Sequence, residues 1–374
     1  MAATPTSSTD NGRNIIICLD GTKNEPEQGS TNVARLFDIC VKNDGQLAYY
    51  DPGVGTMGAR GAVTRLGKSV TRGWGLVAGY GVKENLEEAY TYLANNYRKN
   101  DRVFVFGFSR GAYTARALTG MLSTIGLLRP GAENLTPYAV KLYAQNSGKA
   151  GTREYFEPRD KFRNRFGNPD FPRTFNTSTK QVHFLGVWDT VKSVGALNWR
   201  AGFEESRWPY TAKITNINIA RHAMALDERR RPYPCYRFDS STVQQFEGRH
   251  REVWFPGVHS DVGGQFSDDH RASDVAFDWM LREAHDAGLK VSPQKYSSLM
   301  STPFSTGLAA GHAIDGCLHR NGLAWILAGG WKSRRPLAGD LVHPTVRTWM
   351  ENGNAGTSYT PNLGPEPRWL DVSE

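Results

Sequence analysis

Short, largely apolar runs recur along the chain at Ile15–Leu19, Leu47–Tyr50, Val103–Phe106, Val182–Trp188 and Val253–Val258. They lack the apolar–polar alternation of a half-exposed strand, which is the pattern of parallel strands covered on both faces. Between them the period lengthens. Val82–Arg98 places Val82, Leu86, Ala89, Tyr90, Leu93 and Tyr97 on one helical face. Asn32–Val41 reads as a helix. So does the segment carrying Ala112, Ala115, Ala117 and Leu118, which ends near Gly126. A further helix is expected over Ser273–Ala287, capped by Ser273 and closed by Gly288. Strands alternating with helices predict an α/β fold with a doubly wound, mostly parallel sheet and function at the carboxyl ends of its strands.

Two segments, about 127–180 and 195–250, are too long for simple connections and are rich in Pro, Arg and aromatic residues. They are expected to be cap insertions in a single domain spanning 14–374. Residues 1–13, small and polar, are read as a disordered tail without the apolar core of a signal peptide. Gly53–Gly81 holds nine glycines, with Arg60, Arg65, Lys68 and Arg72 among apolar residues, and is a candidate mobile lid. Beyond Gly288 the pattern weakens.

Composition narrows the picture in three ways. The chain has 374 residues, 39% of them hydrophobic, ample for one large core. Its four cysteines are scattered, with no C-x-x-C pair, as in a reduced protein without a zinc knuckle. With no signal peptide and no run of about 18 apolar residues, a cytoplasmic location is expected. The net charge of +8 includes short clusters at Arg229–Arg231 and at Lys332, Arg334 and Arg335. These read as a solvated basic face that could meet an anionic membrane surface. No nucleic-acid-binding module is recognisable. The oligomeric state is not legible.

The candidate chemistry begins at "GFSRGAYTARAL", where the 103–106 strand feeds a helix through Gly107-x-Ser109-x-Gly111. This G-x-S-x-G turn between strand and helix is the nucleophile-elbow pattern. A serine nucleophile needs a base and an orienting acid, in the chain order Ser, Asp, His for this fold. Asp189 directly follows the strand in "VHFLGVWDTVKSVG", and His259 directly follows another in "WFPGVHSDVGG". His222 sits in an expected helix, and His250 precedes its strand, so both rank below His259. Asp261 either supports the His259 loop or competes for the acid role. Oxyanion donors are expected from the Arg110 amide and from Gly21 or Thr22 in "LDGTKN", with Asp20 stabilising that turn. Two decoys fail. "IICLDGT" has Cys18 where an aspartyl phosphatase needs its nucleophile, and "GAVTRLGKS" has one residue too many between Gly61 and Gly67 for a phosphate loop.

"LDGTKN", "YDPGVGT", "GFSRGAYTARAL", "GVWDTVKSVG", "ARHAMALDERRRP" and "WFPGVHSDVGG" occur in order between Ile15 and Asp274. Together they resemble the uncharacterised α/β-hydrolase family that includes type VI secretion lipase effectors. The resemblance implies an α/β-hydrolase fold and a Ser-Asp-His triad at Ser109, Asp189 and His259. It also implies a relationship to phospholipases. The expected activity is hydrolysis of a carboxylic ester, with a lipid or phospholipid ester favoured, through an acyl-enzyme and without cofactor or metal. The alternatives are an acyltransferase or silent binding protein on the same scaffold, or a metal-dependent phosphoesterase using Asp20, Asp189, His259 and Asp261.

Overall fold

A computed structural model of the chain describes residues 12–21, 30–53, 77–173, 180–192, 208–308, 311–312, 316–322, 330–354 and 356–371. Thr22 and residues 54–76 of the candidate lid lie outside them, as do residues 1–11 of the expected tail. Arg13, assigned to that tail, is paired with Asp101 at 2.7 Å.

The elements run β1 (Asn14–Leu19), α1 (Asn32–Ile39), β2 (Gln46–Asp51), α2 (Val77–Asn96), β3 (Arg102–Phe108), α3 (Ser109–Ile125), α4 (Thr136–Ala144), α5 (Arg153–Phe166) and β4 (Val182–Trp188). They continue with β5 (Ile217–Ala225), α6 (Ser240–Gln245), β6 (His250–Phe255), α7 (His259–Gly263), α8 (Arg271–Asp286), α9 (Pro293–Met300), β7 (Leu341–Val342), α10 (Thr345–Asn352) and β8 (Arg368–Trp369). One sheet of eight strands has the order β2-β1-β3-β4-β5-β6-β7-β8, and every pairing is parallel. The fold is therefore α/β, a doubly wound parallel sheet.

Strand alternation divides the core. Ile15, Ile17 and Leu19 of β1 pack with Val103 and Val105 of β3 beneath α2 and α3, against Leu86, Tyr90, Leu118 and Leu122. Ile16, Cys18, Phe104, Phe106, Phe184 and Trp188 face the other way, onto Val33 and Leu36 of α1 and Phe277 and Met280 of α8. Each of these buried large side chains contributes roughly 1.5–3 kcal/mol of hydrophobic stabilisation, so the two faces of the sheet hold both helical layers. The strand order reverses between β1 and β3, and the crevice at that switch point is where doubly wound sheets place ligands.

Within the two expected cap segments, residues 127–173 form α4 and α5, which pack against α2 and α3. Segment 195–250 contains β5, an interior strand between β4 and β6. His222 therefore lies in a strand, not a helix. Beyond Gly288, where the sequence pattern weakens, β7 and β8 add two short strands to the sheet edge. Among the described residues, no helix is long and apolar enough to cross a membrane.

Candidate active site

Ser109 sits where β3 becomes α3, with a backbone φ of 58°. A non-glycine residue in that left-handed region is strained and persists only where its surroundings impose it. Here the constraint is packing. A Cβ on Gly111 would fall 2.1 Å from the carbonyl oxygen of Leu19, so α3 crosses the end of β1 at a distance only glycine permits. The same closeness brings Gly21 beside Ser109, since a Cβ on Gly21 would lie 3.4 Å from that of Ser109. Ser109 and Arg110 are partly exposed, whereas Phe108, Asp189 and His259 are buried.

Asp189, at the end of β4, is fully buried and also left-handed, with φ 36°. Its Oδ2 accepts a hydrogen bond from His259 Nδ1 at 2.5 Å, because an ionised carboxylate can only accept. Nδ1 thus carries the imidazole proton, and Nε2 keeps its lone pair. Oδ1 accepts from the Ala225 amide at 3.0 Å. Arg334 grips both oxygens, Nη1 at 2.5 Å from Oδ1 and Nη2 at 3.1 Å from Oδ2. Burial alone would raise the pKa of Asp189, but the Arg334 charge and the His259 hydrogen bond overcome it and hold the carboxyl well below the usual range. Burial lowers the pKa of His259, against the pull of Asp189 in the other direction, so the neutral imidazole is the resting form.

His259 begins α7 and stacks on Phe108, with ring centroids 4.6 Å apart, which seats it next to the residue preceding Ser109. A Cβ on Gly263 would lie 1.9 Å from Cε2 of Phe108, so α7 rests directly on that ring. The carboxylate of Glu228 accepts from the His259 amide at 3.1 Å and forms a two-point pair with Arg230. Asp261 turns away from the imidazole. Its oxygens accept from the Val258 amide at 2.9 Å and the His319 amide at 3.1 Å, and pair with His319 Nδ1 at 2.6 Å.

Asp20 holds the loop after β1, accepting from Thr31 Oγ1, Tyr50 Oη and the Gly21 amide. This last bond, at 2.7 Å, engages the Gly21 amide that was expected to face an oxyanion. The Arg110 amide lies in the first turn of α3, where backbone donors have no intrahelical acceptor. Of the rival histidines, His222 is buried in β5, accepts from the Thr190 amide at 3.1 Å and donates Nδ1–H to Glu252 at 2.9 Å. It thereby braces the residue next to Asp189. His250, at the opposite end of its strand, contacts the Ile217 carbonyl. The four residues of the metal alternative do not converge, because Asp189 is filled by a guanidinium and Asp20 and Asp261 hold their own loops. Among the described residues, no group of three or more His, Cys, Asp or Glu is arranged to hold a metal.

Arg334 and Glu228 were not legible as parts of this site, and His222 was legible only as a rival base. Arg334 and Arg230 belong to basic clusters read as solvated, yet both are paired with buried carboxylates. The "ARHAMALDERRRP" motif contains His222, Glu228 and Arg230, and was the one available pointer to two of these three residues.

Comparison with known proteins gives the chain its relatives. It is 32% identical over 234 residues to an uncharacterized protein of Saccharomyces cerevisiae, covering 60% of this chain and 33% of that protein, so it spans about a third of its relative's length. A crystal structure of an uncharacterized protein from Pseudomonas aeruginosa is similar with a TM-score of 0.41 and 19% identity, over 76% of this chain and 47% of that one. The Tle1 effector bound to the VgrG spike of the type 6 secretion system is similar with a TM-score of 0.40 and 18% identity, over 68% of this chain and 51% of its own. Residues 13–283 match the family described as type VI secretion system phospholipase effector Tle1-like, catalytic domain, and the chain belongs to that family.

Proposed function

We propose that the protein is a serine hydrolase that cleaves a carboxylic ester, with a lipid or phospholipid ester as the favoured substrate. The observation that carries this reading is the buried imidazole packed on Phe108, the residue before the strained Ser109 turn, with its Nδ1 held by Asp189 at 2.5 Å. Membership of a phospholipase effector family supports the substrate class.

In this mechanism Ser109 Oγ attacks the ester carbonyl and its proton passes to Nε2 of His259. Asp189 holds the imidazole in the tautomer that leaves Nε2 free to accept, and stabilises the imidazolium as it forms. The carbonyl oxygen gains negative charge and is met by the Arg110 amide at the start of α3, where the helix dipole also favours an anion. The Gly21 amide, engaged by Asp20, does not serve as the second donor in this conformation. The tetrahedral intermediate collapses and expels the alcohol, which takes the proton from His259. Water, activated by the same imidazole, then cleaves the acyl-serine to the free acid.

The test is labelling by a fluorophosphonate together with hydrolysis of a panel of acyl esters, including phospholipids. Ser109→Ala should lose both labelling and turnover while its circular dichroism stays that of the parent. Undiminished labelling of the alanine variant would overturn the assignment.

A further inference from the structure

We propose that Arg334 is a positioning residue for this site, fixing Asp189 and through it keeping the resting His259 unprotonated. The inference rests on the hydrolase reading above and extends it to a segment outside the family-matched residues 13–283.

The geometry comes first. Arg334 is buried, and besides its two bonds to Asp189 it donates to the Ala225 carbonyl at 2.9 Å and the Tyr233 carbonyl at 2.8 Å. It therefore ties the end of β5, the segment after it and the candidate acid into one unit. A planar guanidinium bonded to both carboxylate oxygens leaves Asp189 little freedom to rotate, so Oδ2 stays aimed at Nδ1 of His259. Both carboxylates that bond His259, Asp189 at the ring and Glu228 at the backbone amide, have their own arginine.

The charge balance follows from the same contacts. The groups facing His259 are Asp189 at the end of β4, and Glu228, Arg230 and Tyr233 from the segment after β5. Those facing Asp189 are Arg334, Arg230, Cys235 and His222, the last bonded to Glu252. Around the imidazole, two carboxylates are matched by two guanidiniums. The cluster is balanced when His259 is neutral, and protonating it adds an uncompensated buried cation. A positive charge beside the acid weakens the acid's hold on an imidazolium. Arg334 thus trades some stabilisation of the charged histidine for a base that stays ready below neutral pH.

The experiment uses the intact chain and follows initial rates of fluorophosphonate labelling and short-chain ester hydrolysis against pH. In the parent, the acid limb should lie below the ordinary imidazole value of about 6.5. Arg334→Gln removes the charge, so the limb should move up by roughly one pH unit. Its plateau should fall by up to about 100-fold as the acid loses its fixed orientation. Arg334→Lys keeps the charge, so the limb should stay in place while the plateau falls. A merely structural arginine would lower the plateau in both variants and move neither limb, and that outcome overturns the proposal. If the glutamine variant does not fold, a parent limb at or above the ordinary imidazole value overturns it instead. Labelling that persists in Ser109→Ala would count against the hydrolase reading, and is separate from any result at Arg334.

Discussion

Asp189 accepts from His259, Arg334 and the Ala225 amide, whereas Asp261 uses its oxygens on the Val258 and His319 amides and the His319 ring. Substituting each by asparagine therefore removes different things. Asp189→Asn should lower turnover by about four orders of magnitude, because an amide nitrogen toward Nδ1 favours the wrong tautomer. Asp261→Asn keeps an acceptor for a loop amide and should reduce turnover far less. Steady-state kinetics on one ester decides between them, and the reverse order would make Asp261 the orienting acid. The sequence could rank these two aspartates because Asp189 directly ends an apolar strand. It could not show Arg334, which contacts Asp189 across 145 residues of chain. A charge in a basic run looks solvated until its distant partner is known.

The candidate site is assembled from the carboxyl ends of β1, β3, β4 and β6, and these strands were all legible from short apolar runs. The strand between the last two, β5, was not. Its sequence, INIARHAMA, carries three Ala with one Arg and one Met, which favour a helix in isolation, and it becomes a strand because two neighbours pair with it inside the sheet. Long segments full of Arg and aromatics suggest a cover over the site. Several of those arginines instead fasten backbone. Arg159, buried in α5, donates to the carbonyls of Tyr155, Leu142 and Gln145. At this scale the sensitive joint is α7 against Phe108. A methyl group at position 263 meets that ring head-on. Gly263→Ala should shift α7, and His259 with it, costing about 1–3 kcal/mol of stability. Turnover should fall more than about tenfold in protein that is still folded. An alanine variant with unchanged kcat and reduced stability would mean that α7 does not set the position of the imidazole.

Across the whole molecule, histidines buried as neutral rings couple stability to pH. Burial lowers His250, despite its bond to the Ile217 carbonyl, to about 4, and lowers His343 to about 3. His183, His222 and His259 are shifted in the same direction, again by burial first. The sign follows from proton uptake. In the unfolded chain these rings titrate near the ordinary value of about 6.5, so below that pH the unfolded state binds protons that the folded state refuses. Stability is therefore full above about pH 6.5 and is lost as pH falls toward the folded values. His270 and His319 act oppositely, their pKa values raised by Asp274 and Asp261 respectively, and they add stability in the acid range. The downward shifts at His250 and His343 are large, and the buried histidines outnumber these two, so the net effect should be a falling urea midpoint between pH 7 and pH 5. His343 stacks on Phe255 at 4.6 Å, and an aromatic ring without a titrating nitrogen can occupy that place. His343→Phe should flatten the fall in midpoint across that window, even if loss of the bond to Thr345 lowers stability at pH 7. A variant whose midpoint falls as steeply as the parent's would show that His343 takes no part in the acid sensitivity.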